Sequence, residues 1–67
     1  MDLNAEPRVL HQLRNHLAII VGFCDLLLAD IPESDRKHAD IREMRTAGQA
    51  ALDLLPDVAE RMQSSDD

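Results

Sequence analysis

Sixty-seven residues with thirteen acidic and seven basic side chains, a net charge of -6 and one aromatic residue, Phe23, make a single small acidic domain. Without clustered Lys and Arg, or aromatic faces on which bases could stack, such a chain is not built to hold nucleic acid. Cys24 is the only cysteine, which excludes an intrachain disulfide, and together with His11, His16 and His38 it matches no zinc spacing, so no metal is expected.

The first predicted element follows Leu10, Leu13, Leu17, Ile20, Cys24 and Leu27, which alternate spacings of three and four. That is the a/d seam of a heptad pattern. It predicts a helix over about residues 4 to 29, roughly 39 Å long at 1.5 Å per residue. Asn4 suits the N-cap and Glu6 the first turn, and Pro7 is tolerable there because first-turn backbone N–H groups have no intrahelical partner.

The stretch Asp30 to Ser34 reads as a turn. Pro32 disfavours helical geometry at Ile31, and Ser34 or Asp35 can cap a second helix. A capping box from Asp30 to Glu33 would start that helix earlier. The second seam is Ile41, Met44, Gly48, Ala51, Leu55, Val58 and Met62, over about residues 35 to 62, before a polar tail at 63–67. Pro56 lies inside the pattern and predicts a kink near Leu52 to Leu55.

Two helices and a short turn predict an all-α antiparallel hairpin. Ile19, Val21, Phe23, Leu26 and Leu28 carry apolar surface beyond the first seam, and Ala47, Leu52, Leu54 and Ala59 beyond the second. A lone hairpin leaves that surface wet, and a domain this small is marginal alone. A homodimeric four-helix bundle is therefore expected, with Leu10, Leu13, Leu17, Ile20, Cys24, Leu27, Ile41, Met44, Leu55 and Val58 as its core. A segment of a larger helical protein would cover the same face in another way. No run approaches eighteen apolar residues and the N-terminus lacks a signal-peptide pattern, so a cytoplasmic protein without a membrane partner is expected.

On that seam His11, Asn15, Ala18, Gly22 and Asp25 fall on one outward ridge, with little side-chain bulk at Ala18 and Gly22. Glycine inside a helix costs about 1 kcal/mol relative to alanine, and close docking of a partner is one way to offset it. An exposed neutral imidazole is a competent nucleophile near neutral pH. His11 can equally be an ordinary surface histidine. His16 reads as a bundle-edge residue and His38 as solvated.

The stretch HQLRNHLAIIVGFCDLLL resembles the H-box of the dimerisation and histidine-phosphotransfer domain of two-component sensor histidine kinases. The matching positions are His11, Leu13, Arg14, Asn15, Leu17, Ile19, Ile20, Gly22, Phe23, Leu26 and Leu27, and DIREMRTAGQAALDLLPDV is similar to that family's less distinctive second helix. The resemblance implies that His11 is the phosphoacceptor and that Asn15 orients water or the phosphoryl group. It also implies that Arg14, Ala18, Gly22 and Asp25 belong to a docking strip for a response-regulator receiver domain.

Gln12 stands where the family has an acid thought to polarise the imidazole, and His16 where it has a helix-bending proline. Sixty-seven residues hold no ATP-binding domain, so no ATP-driven activity of this chain is expected. A separate histidine kinase, a phosphorylated receiver or the rest of a longer kinase would supply the phosphoryl group. Any Mg would belong to that partner, and no cofactor is expected here. A competing reading is a non-catalytic kinase-like protein that titrates a kinase or regulator, and a blander one is a dimerisation tether.

Overall fold

The computed structural model describes residues 5–64, with side chains described from Arg8 to Met62. The expectations at Asn4, Glu6 and Pro7, and for the side chains of the polar tail, lie outside the described residues. Helix α1 spans Ala5–Asp30 and helix α2 spans Arg36–Ser64, and no strand occurs among the described residues. They pair side by side into an antiparallel hairpin 53 Å long and 16 by 12 Å across.

The turn is closed by backbone bonds. Ile31 N–H reaches the Leu27 carbonyl at 2.9 Å and Asp35 N–H reaches the Pro32 carbonyl at 2.9 Å. Asp35 then caps α2: its Oδ1 accepts the Lys37 N–H at 2.9 Å, and its carbonyl accepts the His38 N–H at 2.9 Å. A carboxylate at the N-cap satisfies a donor that has no intrahelical partner and favours the positive end of the helix dipole. The start at Arg36 leaves Asp30 as the last residue of α1 and Glu33 in the connection, without the earlier capping box. At the other end α2 runs through Pro56 as one helix, although proline gives the Leu52 carbonyl no hydrogen bond.

The seam between the helices differs from the one expected. The shielded positions of α1 are Leu10, Leu17, Val21, Cys24 and Leu28, continued by Ile31 in the turn. Those of α2 are His38, Ile41, Arg45, Gly48, Gln49, Ala51, Leu52, Leu55, Ala59 and Met62, so Ala51 of the expected seam is shielded as well. Both sets follow helical spacings of three and four, with Arg14 exposed where the α1 stripe would continue and Gln49 and Ala51 flanking the α2 stripe. The α1 stripe is rotated relative to Leu13, Ile20 and Leu27, which are exposed, as are Met44 and Val58. Of the expected bundle core, Leu10, Leu17, Cys24, Ile41 and Leu55 pack within the hairpin.

The reason for the rotation is shape. A Cβ on Gly48 would sit 2.8 Å from Val21 Cγ2, so the backbone of α2 lies against the Val21 side chain. Only glycine accepts this approach without a shift. A cross-helix ion pair between Arg45 Nε and Asp25 Oδ1 locks the same setting from outside.

His38, expected in solvent, is instead 8% exposed, because it continues the α2 stripe one turn before Ile41. Its Nδ1 lies 3.4 Å from an Arg42 guanidinium nitrogen, which suits a neutral ring accepting a hydrogen bond there.

Substituting Gly48 by Ala should lower stability by about 1 kcal/mol or more, since overpacking outweighs the gain in helix propensity. In a double-mutant cycle the penalty should shrink when Val21 is also Ala, giving a coupling of about 0.5–3 kcal/mol in urea unfolding. Zero coupling would remove Val21 from the explanation.

Candidate functional site

The rotation gives the hairpin two unlike sides. At 100° per residue, the exposed stripe Leu13, Ile20, Phe23 and Leu27 lies roughly 150° around α1 from the ridge of His11, Ala18 and Gly22. Met44, Leu54 and Val58 are the exposed large apolar residues of α2. Helical phase puts them on the same side of the hairpin as the α1 stripe, with Ile19 and Leu26 extending the apolar surface outward. Phe23 is 62% exposed and Leu26 65%, so this surface is open in the single chain.

The opposite side holds the ridge. His11, Asn15, Ala18, Gly22 and Asp25 along it are all exposed, as is Gln12, which lies off the ridge. Gly22 has open space where a Cβ would stand, with nothing within 4 Å. Its lack of a side chain therefore serves no contact inside the hairpin, in contrast to Gly48. Asp25 closes the strip at the turn-ward end by pairing with Arg45. The hydrogen bond from Arg45 Nε to the Asp25 carboxylate, followed by the opposite charge, raises the guanidinium above its ordinary value. Thr46 donates to the Arg42 carbonyl at 2.9 Å, and the Gln49 amide donates to the Asp53 carboxylate at 3.1 Å, so both groups are engaged within α2.

At the other end of the ridge a half-open cleft of about 340 Å³ lies between the helices. Leu10, His11 and Arg14 line it from α1, and Leu52, Leu55, Pro56 and Ala59 from α2. His11 and Arg14 are one turn apart, a spacing that places side chains on neighbouring parts of a helix surface. Arg14 makes no hydrogen bond or ion pair with any described residue. No carboxylate occurs between Arg8 and Cys24, so His11 sits in a locally cationic stretch of an acidic chain.

Chemically, this site offers a solvent-facing imidazole, a cation beside it and a carboxamide at Asn15 one turn further on. The structure brings His11 and Arg14 into one cleft and ties Asp25 to Arg45, while Gln12, adjacent in sequence, points to a different part of the helix surface. Among the described residues no group of three or more His, Cys, Asp or Glu could hold a metal ion. The expectations for the first helix did not include Leu52, Pro56 and Ala59 as its cleft wall. Their spacing from Leu55 places them on one face of α2, but Pro56 invited attention only as a helix irregularity.

By length and composition, Arg8–Asp30 is long and apolar enough to cross a membrane, with mean hydropathy 1.2 and 11% of that window buried. The same stretch bears Arg14, Asn15, His16 and Asp25, which a hydrocarbon environment would have to accommodate. Comparison with protein-family profiles, curated proteins and solved structures returned no match.

Gly22→Ala should raise stability by about 1 kcal/mol through helix propensity, because the added methyl meets nothing in the hairpin. A fall in the thermal midpoint of the isolated protein would mean that Gly22 is packed in solution.

Proposed function

We propose that this chain is a histidine phosphoacceptor module of two-component signal transduction, in which His11 accepts or relays a phosphoryl group exchanged with a response-regulator aspartate. The observation that carries the reading is the exposure of His11 on the same open ridge as Asn15, Ala18 and Gly22, within an H-box-like sequence. Phosphoryl transfer requires an unobstructed nitrogen and room for donor and acceptor to align in line. A ridge with no side chain at Gly22 and a methyl at Ala18 leaves that room.

In the step from regulator to module, one ring nitrogen gives its lone pair to phosphorus. The P–O bond to the donor aspartate breaks, and the carboxylate leaves with the electron pair. The other ring nitrogen keeps its proton, so the phosphorylated ring is transiently cationic. The reverse step returns the phosphoryl group. Asn15 can donate to a phosphoryl oxygen or to water, one turn from the reacting ring. The Mg required for aspartyl-phosphate chemistry would sit in the receiver, and the reading places the chain in the cytoplasm with such partners.

The module acts as a homodimer in this reading. Exposed Leu13, Ile20, Phe23, Leu27, Met44, Leu54 and Val58 would face a second copy in a four-helix bundle, leaving both His11 ridges outward. Fully burying a large apolar side chain contributes about 1.5–3 kcal/mol, so a few such residues suffice to favour pairing.

Gln12 favours a second reading. An amide cannot take up the ring proton, and the chain would then bind a kinase or regulator without being phosphorylated. In that case His11→Ala leaves partner binding intact and no label forms.

Incubation with a phosphorylated receiver domain, or with a histidine-kinase catalytic domain and ATP, should give an acid-labile, alkali-stable label. His11→Ala should abolish it, and His16→Ala should leave it in place. Label persisting in His11→Ala ends the assignment. Gln12→Glu should increase labelling from kinase and ATP by about tenfold or more, since a positioned base contributes at least 10²-fold. For the assembly, sedimentation equilibrium should return twice the chain mass, and Phe23→Glu combined with Leu27→Glu should return the monomer. A monomeric wild-type protein at tens of micromolar would contradict the bundle.

A further inference from the structure

The cleft beside His11 has a composition at odds with the rest of the chain. None of its seven lining residues is acidic, although thirteen acids are present in sixty-seven residues. Its walls are mainly apolar, from Leu10, Leu52, Leu55, Pro56 and Ala59, and its one cation is Arg14. That guanidinium is paired with no described residue, whereas Arg45 on the same side of the hairpin is held by Asp25. An unpaired guanidinium at the edge of an apolar recess is suited to an anion, which it binds through two parallel N–H donors. The neighbouring apolar wall lowers the water content and strengthens that attraction. At about 340 Å³ the recess falls in the lower range of small-ligand sites.

We propose that Arg14 and this cleft form a phosphoryl-binding subsite, in which the guanidinium holds equatorial phosphoryl oxygens while an apolar group attached to the phosphoryl or its donor lies against Leu52, Leu55 and Pro56. The inference rests on the phosphoacceptor reading and gives it a residue that Gln12 cannot replace: one that stabilises the transferring group rather than the attacking ring. As the P–O bond to the donor breaks and the N–P bond to His11 forms, charge stays on the equatorial oxygens. A fixed cation one helical turn away lowers the energy of that arrangement. Arg14 would thereby touch the reacting group. Its backbone position on α1 keeps it beside the ring whichever partner brings the phosphoryl group.

The test uses the full chain and phenylphosphonate, a phosphoryl dianion with an apolar body that cannot transfer its group. Titration followed by NMR should give saturable shifts of the Arg14 Nε–H and of the Leu52, Leu55 and Ala59 methyls. Arg14→Gln should weaken binding by about tenfold or more, Arg14→Lys should fall between, and His11→Ala should bind within a few-fold of wild type. Arg14 is exposed, so unchanged thermal midpoints are expected and serve as the folding control. Shifts absent from the cleft, equal binding by Arg14→Gln, or equally tight binding of neutral benzyl alcohol would each overturn the subsite.

A second measurement follows labelling of His11 by a phosphorylated receiver. Arg14→Gln should slow it about 100-fold while leaving receiver binding within a few-fold, and equal rates would overturn the role in transfer. Wild-type protein that never labels yet binds phenylphosphonate through Arg14 would refute the phosphoacceptor reading and keep the subsite.

Discussion

The contact of Val21 with the bare backbone at Gly48 sets the rotation of one helix against the other, and the rest of the molecule follows from that rotation. Hairpins with two apolar stripes per helix can turn either stripe inward. Here the missing Cβ at Gly48 lets α2 approach over Val21, and the approach carries Cys24 and Ile41 into the shielded layer at 6% exposure each. Had α1 turned Leu13, Ile20 and Leu27 inward instead, Asp25 and Arg45 would not meet. The polar lock outside and the close packing inside therefore select the same arrangement.

Once that rotation is set, the division of labour between the two sides is unavoidable. The stripe from Leu13 to Leu27 is excluded from the hairpin and left open, together with Met44, Leu54 and Val58. Among the described residues only Val21, Cys24 and Ile41 have buried apolar side chains, which is a thin core for any domain. Apolar surface of this extent on so small a chain calls for a cover. The proposed pairing of two copies would meet that need without touching the ridge. On the proposed reading, function and assembly would then occupy opposite sides of one thin rod, and docking at His11 would not disturb the interface.

On the proposed phosphoacceptor reading, the site would separate two tasks that a phosphotransfer centre must perform. His11 would supply the nucleophile, which needs exposure more than it needs partners. Stabilising the phosphoryl group needs a cation in a partly dry recess, and that recess exists only because α2 supplies Leu52, Leu55 and Pro56 opposite Arg14. Gln12 removes a base from the ring without removing either of these features. Transfer from an activated aspartyl phosphate makes less demand on a base than attack on ATP does, so the proposed reading fits relay better than kinase chemistry.

Much of this was legible in the chain itself. Repeated spacings of three and four identify two helices; the run from Asp30 to Ser34 marks the turn, and the sequence around His11 places imidazole, carboxamide and small residues on one ridge. These are local properties, set by helical geometry and backbone propensity. What periodicity could not choose was which of two equally regular apolar stripes would face the partner helix, because Leu13, Ile20 and Leu27 recur as regularly as Val21 and Leu28 do. Nor could it show that His38 would be covered, that Asp25 would reach Arg45, or that Pro56 would become the wall of a cleft facing Arg14. Each of these depends on side chains more than a dozen residues apart meeting at a particular rotation, and only the fit of Val21 against Gly48 decides that rotation.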